Sequence, residues 1–413
     1  MSRIKIKHFG PIQEGCIENE GWIEISKTTI FIGNQGSGKS TVAKLISTFT
    51  WIEKALVRGD YNKKWFERKN RLKNQFLNYH RLENYPTQND GLWGNTEIEY
   101  LGEAYHIKYQ KDTLFIDEVL NNDYALPQIM YVPAERNFIA YVKSPKELKL
   151  SSDSLKEFLT EFDNSKRGMK GLLKLPINNV GIEYDKLNDV LNIKGDKYKV
   201  KLTDASSGFQ SLVPLYLVSD YLSKSVQKQS ENREKMSTEE ETRFKKGAED
   251  ILSNENLTNE QRRLAISALS SKFNKTSFIN IVEEPEQNLF PSSQWQLLKK
   301  LLEFNNINSS NKLVMTTHSP YIINYLSIAI QADSLKGKIK SNDSLKEKLN
   351  AIVPLKSTIN SSNISVYQLD ERTGVIKKLN SYDGIPSDKN LLNESLAEGN
   401  NLFDSLLEIE QEL

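Results

Sequence analysis

The chain has 413 residues, of which 38% are hydrophobic, so it is long enough to bury one large core or two smaller ones. Its 55 Lys and Arg residues nearly balance its 54 Asp and Glu residues, so overall charge gives no argument for nucleic-acid binding and only local patches remain. The single cysteine, Cys16, excludes an internal disulfide, and four scattered histidines do not suggest a structural metal site. The first residues lack an apolar signal segment, and no run reaches the roughly 18 apolar residues that span a bilayer. We therefore expect a globular, cytoplasmic protein without a membrane partner.

The N-terminal third alternates predicted strands with one helix. Ile4 and Ile6 alternate with charged residues, and apolar runs at 22–25 and 29–32 predict two further strands. Apolar residues then recur at helical spacing from 42 to 49. Residues 52–95 show no clean period and are interpreted as an insertion, and residues 96–119 predict a small antiparallel hairpin.

The rest of the chain predicts an α/β core. A strand is expected at 128–132, a helix at 154–162, a hairpin at 182–200 and an apolar helix after residue 210. Residues 223–275 are strongly polar and are interpreted as a helical insertion or arm. Buried strands at 278–282 and 313–317 flank a helix at 295–302, an alternation typical of an α/β protein. A hairpin at 363–379 and a final helix end the chain.

Residues 33–40 read GNQGSGKS, which fits the P-loop pattern G-x-x-x-x-G-K-S between an apolar strand and a helix. Glycines let backbone N–H groups point at phosphate oxygens, and the helix start adds its positive dipole end. Lys39 is expected to reach the terminal phosphates and Ser40 to bind Mg²⁺. The alternative is a chance glycine-rich turn. The candidate nucleotide-binding residues of this segment are Asn34, Gly36, Ser37, Gly38, Lys39, Ser40 and Thr41.

Two carboxylates follow the strand at 278–282, in the order expected of a Walker B strand. Glu283 is the candidate magnesium residue, at a position where Asp is more usual, and Glu284 is the candidate base that activates water. A solvated acidic turn is the alternative.

His318 follows the strand at 313–317 and is the candidate sensor of the γ-phosphate, although a histidine at a strand end is often structural. The segment SSGFQ, residues 206–210, precedes an apolar helix, and Ser207 with Gln210 forms a capping-box pattern. A helix start is also a good anion site, so Ser207, Gly208 and Gln210 could bind the nucleotide of a second subunit or act only as a cap.

In this order, the P-loop, SSGFQ, EEPE and TTHSP resemble the ABC-type ATPases of the SMC, RecF and OLD group. Within that group the motifs are similar to stand-alone ATPases of bacterial anti-phage systems, such as the Septu, retron-associated and PARIS ATPases. The resemblance implies ATP and Mg²⁺ as cofactors, a nucleotide-sandwich homodimer or higher oligomer, and SSGFQ as the signature motif. It places the D-loop at residues 286–288 and a recurring segment at 131–137, with Gln128 as a candidate Q-loop glutamine.

The resemblance also implies a domain plan. Residues 1–330 would form the ABC-type head, with an antiparallel β subdomain and insertions at about 52–95 and 223–275, and residues 331–413 an extension that completes it. OLD nucleases carry a Toprim domain with an Asp-x-Asp pair, and no such pair follows His318. We therefore expect an ATPase that senses or regulates in an anti-phage complex and controls a separate effector, a nuclease or toxin.

Two other functions stay open at this point. One is a RecF-like repair clamp that binds duplex DNA, because residues 62–81 interleave basic and aromatic residues. A solvated helix with a buried aromatic stripe explains the same pattern. The other is an ATPase subunit of a transporter, which the SSGFQ form disfavours.

Overall fold

The protein is described here from a computed structural model, which covers residues 1–86, 96–119, 124–142, 150–230, 238–254, 273–339 and 342–411, with isolated positions between 257 and 269. In chain order, the described strands are β1 (Arg3–Lys7), β2 (Gly15–Cys16), β3 (Ile23–Glu24), β4 (Thr28–Gly33), β5 (Glu97–Leu101), β6 (Tyr105–Gln110), β7 (Thr113–Glu118), β8 (Pro127–Val132), β9 (Leu173–Lys174), β10 (Gly181–Asp185), β11 (Val190–Lys194), β12 (Lys199–Lys201), β13 (Ser277–Glu283), β14 (Lys312–Thr317), β15 (Ile364–Leu369), β16 (Val375–Lys378), β17 (Ser381–Tyr382) and β18 (Ile385–Pro386).

The described helices alternate with these strands. They are α1 (Lys39–Arg58), α2 (Lys63–Phe66), α3 (Asn137–Tyr141), α4 (Asp153–Gly168), α5 (Ser207–Ser230), α6 (Thr238–Leu252), α7 (Pro291–Asn306), α8 (Pro320–Lys338), α9 (Asp343–Ile352) and α10 (Leu391–Gln411). The expected α/β class is confirmed.

A seven-stranded sheet in the order β2-β16-β15-β4-β14-β13-β8 forms the centre of the protein. Strands β15, β4, β14, β13 and β8 run parallel, so their carboxyl ends meet at one edge. The register pairs Ile32 with Thr317 and Val282 with both Met315 and Val132. This edge therefore collects the loops that follow β4, β13, β14 and β8.

The two faces of the central sheet are buried in two separate cores. In β4, Ile30 and Ile32 point into one core and Phe31 into the other, as the two-residue period of a strand requires. The first core receives α4, α5, α7 and α8, and the second receives α1 and the antiparallel sheet β3-β1-β5-β6-β7. The predicted hairpin at 96–119 is thus part of a five-stranded subdomain beside the P-loop helix.

The limits of both predicted insertions were wrong at one end. Helix α1 continues to Arg58, so residues 52–58 belong to the P-loop helix, because Ile52, Ala55 and Leu56 keep its buried face. Helix α5 continues to Ser230, so residues 223–230 belong to the helix that follows SSGFQ. Residues 87–95, 231–237 and most of 255–272 lie outside the described residues.

The C-terminal segment completes the central sheet. Strand β15 pairs in parallel with β4, from Ile364 opposite Thr28 to Leu369 opposite Gly33, and β15 and β16 form the predicted hairpin. Helix α10 begins against the domain, where Leu392 packs on the first core, and its described residues from 394 onward are exposed. Among the described residues, no helix is long and apolar enough to cross a membrane.

Candidate nucleotide site at the carboxyl edge

The P-loop joins β4 to α1 through a backbone that favours glycine. Gly33, Gly36 and Gly38 have φ values of 154°, 77° and 99°, a region that side chains with a Cβ rarely adopt. A Cβ on Gly36 would meet nothing within 4 Å, so the loop is open on that side. Asn34 is held from outside the loop, because its Nδ2 donates to Glu371 Oε1 at 3.1 Å.

Lys39 is a buried cation inside the loop. Its Nζ donates to the carbonyl oxygens of Gly33 at 2.9 Å and Asn34 at 2.7 Å. Burial lowers the pKa of Lys39 to about 8, against the opposing effect of nearby carboxylates such as Glu284. Ser37 and Thr41 are also buried. Ser40 is half-buried in the first turn of α1.

The two candidate Walker B carboxylates have different surroundings. Glu283 ends β13 and is buried, and its Oε2 accepts a hydrogen bond from the N–H of Ala134 at 3.1 Å. Glu284 is half-buried in the left-handed region, with φ of 43°. Burial and the adjacent Glu283 raise the pKa of Glu284, an effect that Arg136 and Lys39 oppose.

His318 lies opposite Glu284 at the end of β14, with its Nε2 3.7 Å from Glu284 Oε1. Burial and the charge of Lys39 lower the pKa of His318, so its imidazole is neutral at neutral pH. Its backbone N–H donates to Glu286 Oε1 at 2.7 Å, which ties the D-loop to β14. The structure therefore brings Lys39, Glu283, Glu284 and His318 together at one edge of the sheet.

The candidate signature motif SSGFQ leads into the first turn of α5 and packs on the candidate D-loop, residues 286–288, of the same chain. A Cβ on Gly208 would lie 2.9 Å from the Asn288 carbonyl oxygen, and Asn288 Nδ2 donates to Ser211 Oγ at 3.0 Å. Ser207 is exposed. The predicted capping box is not formed, because the helix begins at Ser207 and the Gln210 amide donates instead to the carbonyls of Leu202 and Thr203.

Gln128 lies at the wrong end of the sheet for a Q-loop role. It occupies the second position of β8 and pairs with Phe278 at the start of β13. The carboxyl edge is four residues further along, or about 13 Å at the usual rise of a strand. Gln128 was a wrong candidate because a short apolar run predicts that a strand is present but does not show which end of the strand lies at the carboxyl edge of the sheet.

Arg136 is the residue of this region whose contacts the sequence did not reveal. It is fully buried and donates only to backbone carbonyls in the described contacts, those of Pro133, Ser211, Glu283 and Glu284. The recurring segment at 131–137 was its only sequence signal. Glu371 was also missed, because it lies 337 residues from Asn34.

Comparison with known proteins agrees with this architecture. The model of the AAA ATPase domain family matches residues 61–323, more than half of the chain. The chain belongs to the AAA ATPase domain family. The matched range of the chain begins beyond residues 33–40 and includes SSGFQ, both candidate Walker B carboxylates and His318.

The chain is also similar, at low sequence identity, to several solved structures. An SMC head bound to the C-winged helix domain of ScpA is 11% identical, with 91% of this chain and 96% of that chain covered and a TM-score of 0.36. The SMC head domain of Thermotoga maritima is also 11% identical, with coverages of 92% and 98% and a TM-score of 0.36. A dimeric bacterial ABC transporter cassette is 11% identical, with coverages of 92% and 100% and a TM-score of 0.24. No curated protein sequence matches this ATPase.

Proposed function

We propose that this ATPase binds Mg-ATP in its P-loop and hydrolyses it at a site shared by two subunits. The observation that carries the proposal is the meeting of Lys39, Glu283, Glu284 and His318 at the carboxyl edge of one parallel sheet. Phosphoryl transfer needs a cation at the phosphates, an acidic residue for the metal and a base for the attacking water, and Lys39, Glu283 and Glu284 can fill these three roles.

The residues present fit a nucleotide and a divalent cation. Glu283 Oε1 is buried and makes no well-formed hydrogen bond within the described part of the chain. The Tyr131 hydroxyl is a polar neighbour of the Glu283 carboxylate, and Oε1 is available to a metal or its bound water. Ser40 supplies a hydroxyl from the first turn of α1. Mg²⁺ bound between them would neutralise charge on the phosphates. On nucleotide binding, Lys39 Nζ would donate to phosphate oxygens in place of the carbonyl oxygens of Gly33 and Asn34.

Glu284 is the proposed catalytic base. A carboxylate whose pKa is raised towards neutrality accepts a proton more readily than an ordinary surface glutamate. His318, neutral and 3.7 Å from Glu284, could donate to the γ-phosphate and register its loss. The proton from the attacking water would pass to Glu284.

The exposed start of α5 supports a second subunit in the site. Ser207 and Gly208 present the positive end of a 24-residue helix, which suits the γ-phosphate of a facing subunit. Two such subunits would form the nucleotide-sandwich dimer. The resemblance to anti-phage ATPases extends this proposal to a regulator whose ATP state controls a separate nuclease or toxin.

The DNA-clamp alternative receives less support from the described contacts. In the stretch 62–81, Phe66 is buried and Trp65 and Phe76 pack against the second core, so these rings are not free to stack on bases. Lys63 pairs with Glu118 at 2.9 Å. Much of this basic and aromatic stretch therefore has a structural use.

The Glu284→Gln variant tests the proposal. Loss of the base is expected to lower ATP turnover by about 10²-fold or more while ATP binding persists, so a dimer should accumulate with ATP. Turnover and particle mass would be measured with and without duplex DNA. Glu303→Gln is the matched control, since Glu303 is a half-buried carboxylate in α7 that pairs with Lys300.

Normal turnover by Glu284→Gln would show that Glu284 is not the base. A variant that binds ATP but stays monomeric would contradict the sandwich. Strong stimulation of the wild-type protein by DNA would favour the repair clamp over the effector regulator.

A further inference from the structure

Arg136 contacts the main chain of three residues whose relative positions matter for the proposed reaction: Ser211, Glu283 and Glu284. Its Nη1 donates to the Glu283 carbonyl at 2.7 Å, its Nη2 to the Glu284 carbonyl at 2.6 Å, and its Nε to the Ser211 carbonyl at 3.1 Å. Glu283 and Glu284 form the end of the Walker B strand, and Ser211 lies in the first turns of α5, directly after SSGFQ. One side chain therefore connects the signature helix to both candidate carboxylates.

These contacts are unusual for a buried arginine. A buried guanidinium is normally paired with a carboxylate in a forked geometry, whereas the described hydrogen bonds of Arg136 all go to main-chain oxygens. The planar fork fixes the directions of its N–H groups, so the carbonyls it binds are held at fixed relative positions. The side chain acts as a brace between backbone segments.

Arg136 contacts the backbone at Glu284, where the main-chain conformation is strained. Glu284 is a non-glycine residue with φ of 43°, a conformation that persists only when its surroundings impose it. Its N–H donates to the Thr316 carbonyl at 2.9 Å and its carbonyl accepts from Arg136. The same carbonyl accepts from the Gln287 N–H at 3.1 Å, so Arg136 supplies one of the three described main-chain contacts that hold Glu284 and the direction of its side chain.

A second link runs beside the first. Asn288 of the D-loop donates to Ser211 Oγ at 3.0 Å, and Gly208 allows the helix start to approach the Asn288 carbonyl. A shift of the first turns of α5 would therefore reach Glu284 by two routes, through Arg136 and through the D-loop. Both routes end at the Glu284 carbonyl, because it accepts from Arg136 Nη2 at 2.6 Å and from the N–H of Gln287 in the D-loop at 3.1 Å.

We infer that Arg136 is a positioning residue that couples the signature helix to Glu284, so that engagement of the helix start by a second subunit sets the geometry of the base. This inference rests on the proposed function. It predicts that Arg136 controls turnover more than nucleotide affinity, because its described contacts are to the backbone that carries the base and not to the P-loop.

The test is Arg136→Lys, which keeps the positive charge but replaces the fork with a single ammonium. We expect kcat to fall by at least about tenfold, since small misplacement of a reacting group costs that much, while the Kd for Mg-ATP stays within about twofold. Arg58→Lys is the matched control, because Arg58 is a hydrogen-bonded arginine at the far end of α1 that pairs with Asp60. Its kcat should be unchanged.

Hydrogen exchange without nucleotide provides a readout that does not depend on turnover. In Arg136→Lys, peptides covering 207–214 and 283–290 should both exchange faster, and peptides from β4 and α1 should not. Comparable kcat in Arg136→Lys and wild type would overturn the inference, as would exchange that rises in only one of the two segments. If the wild-type protein itself does not hydrolyse ATP, the proposed function fails and the exchange result alone decides whether Arg136 couples the segments.

Discussion

Lys39 should make ATP affinity and apo-protein stability depend on pH in opposite directions. Burial places the pKa of Lys39 near 8 in the folded protein, against the ordinary value of 10.5. Between these two values the unfolded chain binds a proton that the folded apo protein does not hold. Raising the pH through this window therefore stabilises the apo protein.

The size of both effects follows from this shift. A change from 10.5 to about 8 corresponds to at most about 3.4 kcal/mol of unfolding free energy gained between those pH values. Phosphate oxygens favour the charged amine, so ATP binding should require proton uptake above pH 8. The protonated fraction of a group with a pKa of 8 falls about tenfold from pH 7 to pH 9, and affinity should weaken by about the same factor.

Two measurements check these signs. Titration calorimetry with Mg-AMP-PNP from pH 7 to pH 9, in buffers with different ionisation enthalpies, reports affinity and proton uptake together. Denaturant unfolding of the apo protein would be compared with Lys39→Met at each pH. This comparison is needed because burial also lowers the pKa of Lys54, to about 7.

The reasoning would be refuted by affinity that stays constant from pH 7 to pH 9 with no proton uptake. It would also be refuted if wild type and Lys39→Met gained the same stability between pH 8 and pH 10.5. Either result would mean that Lys39 is solvated more fully than its contacts with Gly33 and Asn34 indicate.

Two further predictions concern the signature helix and the C terminus. Gly208→Ala should lower the melting temperature and ATP turnover despite a helix-propensity gain of about 1 kcal/mol, because the new Cβ would lie 2.9 Å from a main-chain oxygen. Gly337→Ala is the control and should not destabilise the protein, because the space around Gly337 is open. A Gly208→Ala variant more stable than wild type would contradict this packing. Deletion of residues 394–413 should change the melting temperature by no more than about 2 °C, because the described residues of this segment are all exposed. By the same thermal assay, Leu326→Ala in the core should cost about 2–5 kcal/mol, and cooperative loss of structure on deletion would show that this part of α10 stabilises the fold.

The sequence predicted the elements around the site well because their patterns are local. The P-loop motif predicted the join of β4 and α1, and the apolar runs before Glu283 and His318 predicted two buried strands. Parallel strands then place their carboxyl ends together, so proximity of these residues followed from the fold class.

The sequence did not predict contacts between distant segments. Arg136 reads as an ordinary charged residue, and its burial becomes apparent only when β8, β13 and α5 are in place. The Gln210 amide satisfies carbonyls of the preceding turn, which a capping pattern of four residues does not reveal. The insertion limits failed because charged residues enter the last turns of α1 and α5, although Ile52, Leu56 and Val226 continue the buried faces of these helices.

The place of β4 in the sheet has a consequence for any shortened form of the protein. On one side β4 is paired with β14, and on the other with β15, whose residues Ile364–Leu369 come from the last tenth or so of the chain. A fragment that stops before residue 364 would leave the P-loop strand, which is buried along its whole length, as an exposed edge with unpaired main-chain groups. Such an edge is a template for pairing between molecules, so a fragment of this kind would tend to aggregate although every nucleotide-binding motif is present.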